Sequence, residues 1–471
     1  MVEAGEIVLE LTPAPDPVDV FRRLCWLPHC LFLDSALRSA HLGRWSFVAA
    51  DPFDFLAIGS DEPDGWSWLR TQLASFSTAT IPELPPFQGG IAGLFGYDLN
   101  RTLEKVPSPR YDEFRVPALA VGLYDTVVAF DHVADRAWII STGFPERETP
   151  RRRRRAQMRL EQFRSWLQTE NNACAAPMSA TEHRIDSTDL APSFPVPDVG
   201  GVTSNFSAAG YRETVQRAID YIYAGDVFQV NIAQRLLHPQ IEEPIQTYLR
   251  LRQCNPAPFA AYFDTGTYRI LSASPERFLA VRGGHVETRP IKGTSPRCGI
   301  PEADLLVGQS LQASEKDRAE NIMIVDLLRN DLSRVCRPES VDATQLCGLE
   351  QYPFVQHLVS VVEGELAASY DALDLIRAAF PGGSITGAPK VRAMELIAEL
   401  EPTARGAYCG SLGYIGFDGA LDLSILIRTI TAGAGWLQMS VGGGIVAQSV
   451  PEREYEETWH KAHGLLRAVL S

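Results

Sequence analysis

The sequence predicts an α+β fold, on two observations. Strand-like runs come in meanders, and helices interrupt them irregularly instead of following every strand, which argues against a doubly wound parallel sheet. A length of 471 residues allows about two to four domains, or one large fold on two sheets. Hydrophobic residues at 45% and charged residues at 21% are ordinary globular values and exclude a disordered or fibrous chain.

Taken in order, Asp64–Phe76 reads as a helix, and Val116–Phe130 and Ala137–Thr142 as strands. Arg151–Arg155 open a basic helical stretch that continues through Met158, Leu160, Phe163 and Trp166. Residues 171–204 are rich in Ala, Pro, Ser and Asp and have no apolar period, so they are expected to form an exposed linker between segments 1–170 and 205–471. Ser207 is placed to cap a helix carrying Tyr211, Val215, Ile219 and Ile222, with Gly225 at its stop. Strands are expected at Val227–Leu237, Phe259–Asp264, Tyr268–Ser272, Phe278–Val281 and His285–Pro290, and a last helix at Pro451–Leu470 with Tyr455, Trp459, Ala462, Leu466 and Val469 as its buried stripe.

Lys and Arg number 43 against 58 Asp and Glu, and 43 − 58 = −15, a poor balance for nucleic acid or an anionic membrane. No apolar run approaches the roughly 20 residues of a membrane helix. The acidic start Met1-Val2-Glu3-Ala4-Gly5-Glu6 has no basic n-region, so a cytoplasmic protein is expected. The eight cysteines include no C-x-x-C pair, which disfavours zinc and a disulfide framework.

Two helix starts pair acids three residues apart and hence on one face: Asp317 with Glu320 after Ser314, and Glu454 with Glu457 after Ser449. Oxygen donors without His or Cys suit Mg²⁺. The helix macrodipole favours acids at such places in any case. Two glycine-rich segments offer backbone amides to anions. Pro381-Gly382-Gly383-Ser384-Ile385-Thr386-Gly387-Ala388-Pro389-Lys390 leads into a helix but departs from a Walker loop, since Lys390 does not follow Gly387 directly. Gly442-Gly443-Gly444 follows a strand. Arg428, His357 and Lys292 sit in apolar strand contexts. Such an Arg pairs with a carboxylate of protein or ligand, a lone His is commonly a hydrogen-bonded core residue, and a lone Lys commonly snorkels. Spacing alone points to an Mg²⁺-assisted site for a small polycarboxylate and goes no further.

These segments together resemble the chorismate-utilising enzymes. The resemblance is carried by Ser274-Pro275-Glu276-Arg277-Phe278, Pro290-Ile291-Lys292-Gly293-Thr294, the run Glu320–Asp331, Thr386-Gly387-Ala388-Pro389-Lys390 and Gly442-Gly443-Gly444-Ile445-Val446. It is nearly continuous over 205–471. It is weaker before, through Leu33-Asp34-Ser35, Gly43-Arg44-Trp45-Ser46 and Gly89–Asp98. It implies a large two-sheet, β-sandwich-like fold with helices packed outside.

Members that add water to chorismate carry a Lys at the position of Gln229, so a neutral Gln there makes isochorismate and salicylate synthesis unexpected. Members that form anthranilate typically show Ala at the position of Lys292, and the lysine form is seen in members that aminate C4. The resemblance therefore implies conversion of chorismate and ammonia to 4-amino-4-deoxychorismate for para-aminobenzoate and folate, with anthranilate formation as the alternative. It further implies Mg²⁺ held by Glu320 and Glu457 with Asp317 and Glu454 assisting, although relatives often have Glu at the position of Asp317. The substrate would be bound by Ser384, Tyr408, Arg428, Gly293, Thr294 and the Gly442–Gly444 amides. Lys292 would be the nucleophile, Glu276 the general acid and base, and His357 would lie near the departing hydroxyl. Leu33-Asp34-Ser35 and Asn255-Pro256-Ala257-Pro258-Phe259 resemble a tryptophan pocket, assigned to Asp34, Ser35, Asn255, Pro256 and Phe259. No cysteine has the glycine-flanked setting of an amidotransferase nucleophile, Cys409-Gly410 being nearest, so a separate glutaminase subunit is implied as the ammonia source.

Overall fold

Period-two burial sets the layers. In the strand Gly90–Phe95, Ile91 and Phe95 join one apolar cluster while Ala92 and Leu94 join another. Leu119–Tyr124 does the same, sending Leu119, Val121 and Leu123 one way and Ala120 and Tyr124 the other. Both faces of such strands are buried, so they read as continuous apolar runs and not as alternation. The structure, a computed structural model, describes residues 5–38, 42–62, 65–169, 184–197, 199–297, 299–352 and 355–470, without the side chains of Thr294 and Pro296.

Among the described residues one sheet has thirteen strands and the other ten. A shared inner layer including Phe47, Phe87, Phe263, Leu412 and Tyr414 lies between them. Helices cover the far face of each. Thr149–Gln168, Pro244–Cys254 and Pro451–Leu470 pack on the larger sheet, Ala208–Tyr223 and Lys390–Leu400 pack against its strand Gln229–Pro239, and Glu315–Ser333 packs on the smaller sheet at Val355–Glu365. The α+β sandwich with outer helices is the architecture expected. The segments before and after the linker are interleaved. Leu31–Asp34 pairs antiparallel with Phe259–Asp264 in one sheet, and Gly90–Phe95 with Ser411–Gly416 in the other.

Several local expectations change. Val116–Phe130 is two strands, Leu119–Tyr124 in the smaller sheet and Thr126–Asp131 in the larger. The break is Asp125, buried and ion-paired to Arg159 at 3.2 Å. Residues 171–183 and 198 of the expected linker lie outside the described residues. The rest is tied to the sheet edge: Ile185 N–H donates to Ala434 O, and Thr203–Ser204 pairs with Leu236 and Leu237. The basic helix is not wholly solvated, because Arg152 and Arg155 turn inward onto the carbonyls of Thr142 and Phe144. Ser207 caps its helix through the Gly210 N–H, and Ser314 accepts from the Asp317 N–H. Ser449 makes no such cap: its hydroxyl donates to the Glu454 carboxylate at 2.7 Å. The buried stripe of the last helix runs through Glu454, Thr458, Ala462, Leu465 and Val469, not through Tyr455 and Trp459. This rotation buries Glu454. No helix among the described residues is long and apolar enough to cross a membrane.

Candidate active site

The chain passes from the larger sheet to the smaller between Arg269–Ser274 and Arg277–Arg282, and Glu276 sits at that crossing. It is 4% exposed, and its Oε1 accepts the Ser384 hydroxyl at 2.6 Å. Burial pushes its pKa up to about 7, against the opposing pull of Ser384 and the Lys292 charge.

Lys292 lies on Ile291–Pro296, whose register slips against Val355–Glu365 between Lys292 and Thr294. Gly293 is the cause. Its φ is +78°, and a Cβ there would meet Leu311 at 3.1 Å and the Asp317 carboxyl at 3.2 Å. The bulge re-aims Lys292, whose Nζ donates to the Ser384 carbonyl at 3.0 Å. Burial lowers the Lys292 pKa, helped by Lys461 and opposed by Glu320, Glu276 and Glu457. Ser384 thus touches both side chains, its carbonyl the Lys292 amine and its hydroxyl the Glu276 carboxyl.

His357 faces Thr294 across the same ladder and is 6% exposed. Burial and the Arg428 charge hold its pKa down at about 4, so it is neutral near pH 7. Arg428 has φ +53°, a strained conformation for a side chain of its size. Its Nη1 donates to the Lys461 carbonyl, and burial lowers its pKa, opposed by Tyr408 and Glu457. Gly442, Gly443 and Gly444 pair with Ala233, Ile232 and Asn231. Their strand, Trp436–Ile445, pairs with Thr429–Gly433 only through Met439, so beyond that point its other edge has no strand partner among the described residues. The Thr294 side chain lies outside the described residues.

The acids gather from two helices. Lys316 lies 3.9 Å from Glu320 and 3.5 Å from Glu454, and Lys461 lies 2.6 Å from Glu457. A Cβ on Gly443 would come within 3.3 Å of Lys461 Nζ, 3.5 Å of Glu457 Oε1 and 3.6 Å of Glu454 Oε2, so this glycine keeps the space open. Burial raises the Glu320 pKa, with Asp317 and Glu454 adding to it. Burial also acts on Glu457, but Lys461, Lys316 and Lys292 outweigh it and hold the pKa low. No three His, Cys, Asp or Glu among the described residues are gathered closely enough to hold a metal ion as they stand. The donor set is nonetheless all carboxylate oxygen around an open space, which fits a hard divalent cation.

Sequence reasoning missed three participants. Asn231 donates to the Ser384 carbonyl at 3.1 Å, Lys461 is the i+4 partner of Glu457, and Lys316 bridges the two acid pairs. The i+4 spacing was legible, whereas the Asn231 contact spans elements distant in sequence. Lys390, the residue of the near-Walker loop, is structural: it donates to Asp331 and to the Ala379 carbonyl. Asp34, Ser35 and Phe259 line one cavity of about 60 Å³ between the sheets, together with Arg44, Trp45 and Tyr414. Asn255 and Pro256 are not among its lining. The Asp34 carboxylate is already engaged by Arg252 at 2.8 Å and by the Tyr248 hydroxyl.

The Glu276 environment makes a pH-dependent stability prediction. Its folded pKa of about 7 exceeds the ordinary 4.5, so its contribution is full below about 4.5 and lost as pH rises through about 7. Glu276→Gln is expected to stabilise the fold by about 1–3 kcal/mol at pH 8, and to be nearly neutral at about pH 4. Urea unfolding at the two pH values checks this, and an equal difference at both would contradict it.

A family model for chorismate binding enzymes matches residues 32–467. Aminodeoxychorismate synthase component 1 of Klebsiella aerogenes is 44% identical over 98% of this chain and 99% of that one. Anthranilate synthase component 1 of Thermus thermophilus is 41% identical over 82% of this chain and 79% of that one. The solved anthranilate synthase component I of Streptococcus pneumoniae superposes with a TM-score of 0.74 at 29% identity, over 91% of this chain and 93% of that one. The site just described lies inside the matched region, and this chain belongs to the chorismate binding enzymes.

Proposed function

We propose that the chain converts chorismate and ammonia to 4-amino-4-deoxychorismate, the precursor of para-aminobenzoate and folate. The observation that carries this reading is the enclosed Lys292 amine sharing Ser384 with the Glu276 carboxyl. In its neutral form Lys292 attacks C2 of chorismate. Both ring double bonds shift, the C4–O bond breaks, and Glu276 gives its proton so that the hydroxyl leaves as water. Ammonia then bonds to C4, both double bonds shift back and the C2–N bond to Lys292 breaks, while Glu276 takes a proton from the new amine. His357, neutral, lies near the departing hydroxyl. Tyr408, Arg428 and the open edge at Gly442–Gly444 hold the enolpyruvyl carboxylate, and Ser384, Gly293 and Thr294 bound the ring.

Glu320 and Glu457 would hold Mg²⁺, with Asp317 and Glu454 beside them. When bound, the ion supplies Lewis-acid polarisation of the ring carboxylate. Gln229 is fully buried and cannot deprotonate water, which fits an amine nucleophile.

The ammonia comes from a separate glutaminase subunit, a reading supported by the name component 1 of the relatives. Cys409 is no substitute: burial drives its thiol up to about 12, which keeps it protonated. The expected result is that the purified chain consumes chorismate with ammonium and Mg²⁺ but not with glutamine, giving a product that keeps its enolpyruvyl group by mass spectrometry. Glutamine-driven turnover by this chain alone would contradict the partner. The similarity to the Thermus thermophilus protein keeps anthranilate formation as the second reading, and pyruvate release without an added lyase would favour it.

A further inference from the structure

A buried ion pair outside the reacting groups holds the loop on which both of them depend. Arg405 is 7% exposed and Glu401 4%. The guanidinium donates from Nε and Nη2 to the Glu401 carboxylate at 2.9 and 2.6 Å. Nη1 donates to the Ile385 carbonyl at 3.0 Å, and Nη2 also to the Asn231 carbonyl at 3.1 Å. Glu401 in turn accepts the Ala233 N–H at 2.9 Å, and the Tyr97 ring lies 4.7 Å from the guanidinium carbon. Ile385 follows Ser384, and the Asn231 side chain donates to the Ser384 carbonyl, the acceptor that also takes Lys292. Ser384 is therefore bracketed on both sides by residues that Arg405 holds.

A planar fork can bridge two carbonyls and a carboxylate at once, and a lysine ammonium on a flexible stem cannot keep that geometry. Buried ion pairs are weak contributors to stability, since apolar or neutral replacements are often tolerated. Another reason for this pair is then needed, and its bonds supply one. We propose that Arg405, oriented by Glu401, is a positioning residue that fixes Ser384 between Lys292 and Glu276. The proposal rests on the chorismate reaction described above and adds a residue that touches none of the reacting atoms.

Two variants test it, Arg405→Lys and the neutral pair Arg405→Gln/Glu401→Gln, which leaves no charge buried without its partner. Near-UV circular dichroism and a thermal melt report folding. Chorismate consumption with ammonium gives kcat and KM. Incubation with chorismate alone gives the rate at which mass accumulates on the peptide carrying Lys292. Misplacement of reacting groups by a remote change costs up to about 10²-fold. The expected result is a kcat lower by about 10–100-fold in a folded variant, with KM within about threefold and the labelling of Lys292 slowed in proportion. A folded Arg405→Lys with kcat within about threefold of the parent overturns the assignment. If Arg405→Lys does not fold, the neutral pair decides by the same numbers, and failure of both to fold makes the pair a folding determinant and overturns it too. Because consumption of chorismate is the readout, a product other than the aminated one would replace the functional reading while leaving the kcat and KM split to judge Arg405.

Discussion

Lys292→Ala is expected to cut formation of the aminated product by on the order of 10²–10⁴, the range for loss of a positioned catalytic group. A spectator lysine would face solvent, and its removal would alter stability by no more than about 0.5 kcal/mol and rate hardly at all. The Lys292 amine is instead bonded to a carbonyl inside the site, and burial lowers its pKa. Chorismate binding is expected to weaken far less, because Arg428 and the acid cluster are untouched. The adduct is a secondary amine, so borohydride is no trap. Incubating the chain with chorismate in the absence of ammonia, digesting it and weighing the Lys292 peptide is the direct test. A chorismate-derived mass that Lys292→Arg lacks supports the covalent route. Near-normal turnover by Lys292→Ala would contradict it and move the reading toward anthranilate formation.

How this site could be read beforehand follows from where its information lies. Ser207, Ser314 and the helix Pro451–Leu470 were legible because caps and 3.6-residue periods are local. The crossing at Asp125 was not, since strands buried on both faces show no change of period when they leave one sheet for the other. A lone Asp in the apolar run was the only signal. The stripe of the last helix was misplaced by one position for a different reason. Its buried members include Glu454 and Thr458, which an apolar pattern skips. Among site residues, Lys292 and Glu276 were named from motifs, but their junction at Ser384 is a contact over 92 and 108 positions of sequence. Arg405 was invisible for the same reason, because its meaning resides in carbonyls of Ile385 and Asn231, and backbone acceptors leave no trace in side-chain identity.

Glu320→Gln and Glu457→Gln are each expected to abolish Mg²⁺-dependent turnover while the fold survives. The two carboxylates come from separate helices: Glu457 faces the space that Gly443 leaves open, and Glu320 is tied to Glu454 through Lys316, with Lys316 and Lys461 now balancing their charge. Neutralising one removes a hard oxygen donor. Even partners that only support a metal ligand cost about 10–100-fold in affinity or activity, so a ligand should cost at least that at limiting Mg²⁺. The folds should tolerate the changes differently. Burial raises the Glu320 pKa, so Gln there relieves a buried charge and should not destabilise. Glu457 is held low by Lys461, and its loss removes an ion pair whose carboxylate is half exposed, worth at most about 1 kcal/mol. The sign with pH follows. The folded Glu320 takes its proton at higher pH than an ordinary Glu, so Mg²⁺ affinity should fall as pH drops, sooner than for a set of unperturbed carboxylates. Calorimetric titration of Mg²⁺ into parent and variants at pH 6 and 8, beside turnover at limiting Mg²⁺, separates lost binding from lost folding. Parent-like binding and turnover in either variant would remove that residue from the metal set.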